Sequence, residues 1–183
     1  MNIKVEDVKT SDYNLIYYMN DIYTKLNCII RSYSNNNNIF EANEIIDGTY
    51  IGNINSVYDF NKLKELGITH VISVLAGFNP PFPEDFKYLV LNALDTQNTD
   101  MSKNFKSAND FIDDAIENNG KVLIHCMAGR SRSVTILSAY IINRYGFPVE
   151  KTLDFIKNKR NIIEPNVGFK NQLIKYYDEL YSA

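Results

Sequence analysis

Hydrophobic and polar positions follow two different patterns along this chain, and a run of four asparagines at residues 35–38 separates them. Before the run, apolar side chains recur at steps of three and four residues, at Leu15, Met19, Ile22, Leu26 and Ile29. This spacing predicts an amphipathic helix over residues 11–31. In the simplest interpretation its apolar face packs on the core of the same chain. The alternatives are self-association with a second copy and a flap over a functional site.

Beyond the asparagine run, short apolar stretches of strand length alternate with helical patterns. The predicted strands are residues 49–52, 69–75, 88–91 and 121–125. The predicted helices are residues 56–66, 102–117, 131–145 and 148–158, with a last helix that follows Pro165-Asn166 and ends near residue 181. This alternation predicts an α/β fold with a central, mostly parallel sheet of about four to five strands flanked by helices.

Capping residues predict where several of these helices begin and end. Ser56 and Ser102 are expected to cap the first two helices, and Pro148 is expected in the first turn of the fourth. Gly67 and Gly146 are expected to end helices. The chain therefore divides into an N-terminal helix with an asparagine-rich linker at residues 1–40 and one folded domain at residues 41–183.

Composition excludes several classes of protein. The 183 residues are 45% hydrophobic, enough for a core, and the net charge of −3 disfavours sequence-independent binding of nucleic acid. Two cysteines exclude a disulfide scaffold and favour a reducing compartment, so we expect a cytoplasmic protein, with the nucleus as the alternative. His70 and His125 lack the spacing of a metal motif, so neither metal nor cofactor is expected. No apolar run reaches about 18 residues, so no transmembrane segment is expected.

One segment carries recognisable chemistry: residues 125–133, with the sequence HCMAGRSRS. A loop between a strand and a helix N-terminus presents backbone N–H groups to an anion, and the helix dipole adds positive character. Arg132 adds a two-pronged donor that suits phosphate oxygens. In that field Cys126 is expected to form a thiolate, because cysteines at helix N-termini with cationic neighbours have pKa values of roughly 3.5–7.5.

This segment resembles the signature HC-x₂-G-x-SRS of the dual-specificity protein tyrosine phosphatases, and the chain is similar to their small atypical members. The resemblance continues, in the order usual for that family, through residues 50–53, 66–72, 93–96 and 164–169, and it covers about residues 44–182. It implies a cysteine-dependent phosphatase fold, with residues 41–183 as the catalytic domain. It also implies a protein phosphatase that hydrolyses phosphotyrosine and phosphoserine or phosphothreonine.

The resemblance assigns roles to residues of the loop. Cys126 would attack phosphorus and form a phosphocysteine intermediate, and Ser133 would help the thiolate leave in the second step. The phosphate oxygens would be held by a set of loop residues: Met127, Ala128, Gly129, Arg130, Ser131 and Arg132. His125 would support the loop without transferring protons, and Asn166 would shape its surroundings.

The family also places an aspartic acid about thirty residues before the cysteine as a general acid. Asp95 lies 31 positions before Cys126 and is the expected acid. Asp100, in the same predicted loop, is the competitor, although an exposed loop carboxylate or a helix cap is its favoured interpretation. Arg130 is an extra cation that would favour acidic phosphopeptides or phosphoinositides, or else lies solvated at the rim.

Other classes fit less well. A cysteine protease needs a separate histidine, but side chains of adjacent residues such as His125 and Cys126 point to opposite faces of a strand. Low-molecular-weight tyrosine phosphatases place the aspartic acid after the loop, and rhodanese-like sulfur carriers need no acid, so Asp95 argues against both. A phosphoinositide phosphatase, an RNA 5′-phosphatase and a phosphopeptide-binding pseudophosphatase are the open alternatives to a phosphoprotein substrate. Cys28 is expected to pack in a core, with a redox role as the alternative.

Overall fold

The computed structural model describes residues 40–181. The predicted helix at residues 11–31, the self-association surface predicted on it, the asparagine run and Cys28 all lie outside the described residues. Among residues 40–181, no helix combines the length and the hydropathy that crossing a bilayer demands.

A five-stranded sheet forms the centre of the described domain. Its strands are β1 (Ala42–Ile46), β2 (Thr49–Gly52), β3 (Ile68–Val74), β4 (Lys87–Leu91) and β5 (Lys121–His125). Their order across the sheet is β1-β2-β5-β3-β4, and every neighbouring pair is parallel except the edge pair β1-β2. The predicted α/β class with a mostly parallel sheet is confirmed.

Within residues 40–181, five helices flank the sheet: α1 (Phe60–Leu66), α2 (Phe105–Glu117), α3 (Arg132–Tyr145), α4 (Val149–Lys159) and α5 (Val167–Tyr181). Buried strand residues alternate between the two faces of the sheet, as the two-residue period of a strand requires. Along β5, Val122 and Ile124 join the larger apolar cluster, which the long helices complete. Leu123 joins the smaller cluster on the other face, together with Leu63 of α1. The sheet is therefore covered on both faces, and its central strand β5 is held from both sides.

Three predicted helix starts differ from the observed ones, at Ser56, Ser102 and Pro148. Residues 56–58 and 102–104 form short 3₁₀ turns that precede α1 and α2. The Ser56 hydroxyl donates to the Glu41 carbonyl at 2.7 Å and so ties β1 to the turn, while Asp59 caps α1. Pro148 precedes α4 as its N-cap instead of lying in its first turn. The helix ends at Gly67 and Gly146 are confirmed by their positive φ angles of 75° and 66°.

Candidate active site

The loop of residues 126–131 leaves the carboxyl end of β5 and leads directly into α3, which begins at Arg132. Gly129 makes the turn possible, since its φ of 64° is in the left-handed region. A Cβ atom on Gly129 would also come within 2.6 Å of the Gly52 carbonyl oxygen, so the loop lies tightly against the end of β2. Strand, glycine turn and helix N-terminus thus build the anion cradle that the sequence predicts.

Cys126 lies at the base of this cradle, with only 1% of its surface exposed. Burial by itself would raise the pKa of the thiol, because it penalises the charged form. The charge of Arg132 opposes it, as do hydrogen bonds from the Ser133 hydroxyl, 3.4 Å from Sγ, and from the backbone N–H groups of Ser133 and Gly129. The net result is a pKa below the ordinary value of a thiol. The structure therefore holds Cys126 ready to act as a thiolate.

His125 is completely buried one residue before the cysteine. Its Nε2 lies 2.8 Å from the Ser73 hydroxyl of β3, and its ring meets Phe78 edge-on at 5.0 Å between centroids. Burial lowers the pKa of His125 to about 3, and the nearby Arg132 charge acts in the same direction. A histidine that stays neutral and is fixed between strands supports the loop and does not carry protons at neutral pH.

Asp95 reaches the same loop from a different part of the chain. Its Oδ1 accepts hydrogen bonds from the Ser131 hydroxyl at 2.7 Å and from the Asn166 side-chain amide at 3.0 Å. Its Oδ2 lies 3.4 Å from Arg132 Nε, and Arg132 also donates from Nη1 to the Ala93 carbonyl at 3.2 Å. The carboxyl group of Asp95 therefore lies against the same loop that carries the Arg132 guanidinium and the buried Cys126 thiol.

Asp100 has a different environment from Asp95. Its Oδ1 accepts hydrogen bonds from the Ser102 backbone N–H at 3.1 Å and from the Ser102 hydroxyl at 2.7 Å. The hydroxyl hydrogen bond is the main reason why the pKa of Asp100 is lowered. The carboxylate thus binds the first residue of the 3₁₀ turn that precedes α2, and it belongs to an exposed loop.

Arg130 turns its side chain away from the cradle. Its guanidinium forms an ion pair with Glu164 and donates from Nε to the Ile162 carbonyl at 3.1 Å. The Arg130 carbonyl, in turn, accepts a hydrogen bond from the Glu164 backbone N–H at 2.7 Å. The extra cation therefore lies at the rim, and only its backbone N–H is available to a group in the cradle.

The start of α5 holds the segment that carries Asp95. Asn166 donates to Asp95 and also accepts from the Phe169 backbone N–H at 3.0 Å, so one side chain caps the helix and positions the carboxylate. A Cβ atom on Gly168 would collide with the Gln97 backbone, two residues beyond Asp95. The glycine is what lets the helix and the loop approach this closely. Phe169 is fully buried and anchors the helix start in the core.

Comparison with known protein families supplies the deciding match: residues 49–179 match the dual specificity phosphatase catalytic domain. This chain belongs to the dual specificity phosphatase family. The family expected from the loop sequence is confirmed, and so is the expectation that the protein is an enzyme, a protein phosphatase.

Individual relatives agree with this assignment. Dual specificity protein phosphatase 1B of Arabidopsis thaliana is 38% identical over 136 residues, which cover 74% of this chain and 81% of that protein. Dual specificity protein phosphatase 1 of the same plant is 38% identical over 129 residues, 70% of this chain and 65% of that protein. The solved human tyrosine phosphatase-like serine/threonine/tyrosine-interacting protein is 32% identical, with a TM-score of 0.73, and the match covers 79% of this chain and all of that one.

Sequence reasoning about the phosphatase missed two kinds of site residue. Ser73 and Ala93 hold His125 and Arg132 with a hydroxyl and a backbone carbonyl, which leave no pattern in a sequence. Arg160 lies buried behind the loop, but it stands at the end of a basic helix turn, where a solvated side chain is the normal expectation. Among residues 40–181, no cluster of three or more histidine, cysteine, aspartate or glutamate side chains is placed to bind a metal ion.

Proposed function

We propose that this phosphatase hydrolyses phosphotyrosine and phosphoserine or phosphothreonine in protein substrates, with Cys126 as nucleophile, Arg132 as phosphate-binding cation and Asp95 as general acid. The observation that carries the proposal is the convergence of these three side chains on one loop. The hydroxyl of Ser131 and the amide of Asn166 hold the carboxyl group beside the guanidinium.

In the first step the Cys126 sulfur attacks phosphorus, the S–P bond forms and the P–O ester bond breaks. The loop N–H groups and Arg132 bind the three equatorial oxygens while charge shifts between them. The departing oxygen takes a proton from Asp95.

In the second step water attacks phosphorus and the S–P bond breaks. Asp95, now a carboxylate, accepts the proton that water loses, so one group serves as acid and then as base. The Ser133 hydroxyl, 3.4 Å from the sulfur, donates a hydrogen bond to the leaving thiolate. Inorganic phosphate is then released and the starting enzyme is restored.

The rim of the cradle favours a single phosphate on a protein side chain over a headgroup with several phosphates. Arg130, the second cation of the loop, is paired with Glu164, whereas Arg132 lies close enough to Cys126 for its charge to lower the pKa of the thiol. The test compares kcat/KM for phosphotyrosine and phosphothreonine peptides with kcat/KM for phosphoinositides and a 5′-triphosphorylated RNA. A higher value for either non-protein substrate would reassign the substrate, and peptide binding without hydrolysis would indicate a pseudophosphatase.

Asp95→Asn is expected to slow alkyl phosphates more than activated aryl phosphates. Asparagine keeps the oxygen that accepts from Ser131 but has no proton to give, so kcat/KM for a phosphoserine peptide should fall by about 100-fold. p-Nitrophenyl phosphate should lose much less, because its leaving group needs little protonation. Asp100→Asn is the matched control and should leave both rates unchanged. A loss confined to the Asp100 variant would transfer the acid role to that residue.

The rate of alkylation of Cys126 by iodoacetamide is expected to rise with pH along a curve whose midpoint lies below the ordinary thiol pKa. The sign follows from the lowered pKa of Cys126: the thiolate reacts, and it persists down to a lower pH than a free cysteine would allow. The acid limb of kcat/KM should rise with pH over the same interval. A Cys28→Ser background leaves one reactive thiol. A midpoint at or above the value of a free thiol would contradict the proposed electrostatics.

A further inference from the structure

Arg160 is a buried charged residue to which the chemistry of phosphate transfer assigns no task. It follows the last residue of α4, and only 3% of its surface is exposed. Its guanidinium lies behind the phosphate loop, on the side away from the cradle. There Nε donates to the Gly129 carbonyl at 2.8 Å, and Nη2 lies 3.4 Å from the Ala128 carbonyl.

These two contacts complete a pattern along the loop. A cradle that turns successive N–H groups towards an anion must turn the carbonyl groups of the same peptides outwards, into the protein. A buried carbonyl without a donor is costly, so each of them needs a partner. The Ile54 N–H donates a hydrogen bond to the Met127 carbonyl at 3.1 Å, and the Glu164 N–H donates to the Arg130 carbonyl at 2.7 Å. The Arg160 guanidinium donates to the two carbonyls between them, those of Ala128 and Gly129.

The far side of the guanidinium is held just as firmly. Arg160 Nη1 donates to the Asn43 side-chain oxygen, and Nη2 donates to a Glu41 carboxylate oxygen, each at 2.6 Å. Asn43 lies in the edge strand β1 and Glu41 directly precedes that strand, so the planar fork bridges this edge of the sheet and the loop. The fit is close, since a Cβ atom on Gly129 would come within 2.7 Å of Arg160 Nη2.

We propose that Arg160 is a positioning residue that keeps the phosphate loop in its anion-binding conformation by fixing the outward carbonyls of Ala128 and Gly129. It does not touch the substrate. Its removal lets the two peptide groups rotate, which withdraws N–H groups from phosphate and from the Cys126 thiolate. This inference rests on the proposed function, because it concerns the same cradle.

The test measures the cradle separately from turnover. Arg160→Lys and Arg160→Met are made in a Cys28→Ser background. Inorganic phosphate is titrated while iodoacetamide alkylates Cys126, and the phosphate concentration that halves the alkylation rate gives the protection constant. The pH midpoint of alkylation, kcat/KM and Tm are measured for the same variants. Arg144→Met, an exposed arginine in the last turn of α3, is the matched control. We expect Arg160→Met to weaken phosphate protection and kcat/KM by about 10–100-fold and to raise the alkylation midpoint. Lysine, which has the charge but not the fork, should recover only part of the loss.

A merely structural role predicts something different: a lower Tm, with phosphate protection, alkylation midpoint and kcat/KM unchanged in the folded protein. That result would overturn the proposal. Should Arg160→Met fail to fold, Glu41→Gln combined with Asn43→Ala keeps the arginine but releases its far side, and phosphate protection should still weaken. Unchanged protection in this variant would also overturn the proposal. If the unaltered enzyme binds phosphate but hydrolyses no phosphopeptide, the proposed function fails, while the protection constants still decide the role of Arg160.

Discussion

Cys126→Ser is expected to lower kcat by on the order of 10⁴-fold or more while phosphate-site binding largely survives. The charge of Arg132 and the loop hydrogen bonds lower the pKa of the Cys126 thiol, but a serine hydroxyl stays protonated in the same field. The groups that bind phosphate are backbone N–H groups and Arg132, and this substitution removes none of them. The measurements are kcat with a phosphotyrosine peptide and the dissociation constant of that peptide by calorimetry.

Cys28→Ser is the matched control, because it makes the same chemical change at the other cysteine of the chain and should leave kcat unchanged. Residual turnover of Cys126→Ser within tenfold of the unaltered enzyme would exclude a phosphocysteine mechanism. Simultaneous loss of peptide binding would indicate instead that the substitution had disturbed the loop.

Arg132→Lys is expected to reduce kcat/KM by about 10³-fold or more, because a planar fork that binds two oxygens at once stabilises the transition state far better than a point charge. The structure shows what fixes that fork: its Nη1 donates to the Ala93 carbonyl and its Nε lies beside Asp95, with only 12% of the side chain exposed. An ammonium group cannot reproduce both contacts. For a phosphotyrosine peptide, KM should rise and kcat should fall.

The alkylation midpoint of Cys126 separates the two roles of this arginine. Lysine keeps the positive charge, so in Arg132→Lys the midpoint should move little although turnover collapses. Arg132→Met removes the charge that lowers the pKa of Cys126, and its midpoint should rise clearly. Arg144→Lys is the control, because it makes the same arginine-to-lysine change at an exposed position in the last turn of the same helix, α3. Equal turnover for Arg132→Lys and the unaltered enzyme would remove Arg132 from the phosphate site.

Local patterns account for most of what could be predicted. The buried strands β3 and β5 are continuous apolar runs, and the ends of α1 and α3 are marked by glycines with positive φ. The edge strand β1 escaped prediction because its backbone contacts lie mainly with β2, and its sequence has no continuous apolar run. Ser56 is expected to cap a helix, but its hydroxyl donates to the distant Glu41 carbonyl, and sequence alone does not distinguish a local from a distant partner of a serine.

The sequence by itself determined the chemistry of the phosphate loop, because residues 125–133 contain the thiol, the arginine, the turn glycine and the helix start within nine positions. Only the tertiary structure decided which distant groups complete it. Asp95 and Asp100 are both loop carboxylates in the sequence, but only Asp95 meets the side chains of Ser131 and Asn166, the latter 71 positions away. In the same way Arg130 is turned outwards by Glu164, and Arg160 is drawn behind the loop. The role of a charged side chain depends on the partners within about 3 Å of it, and in this fold those partners come from strands and helices far apart in the chain.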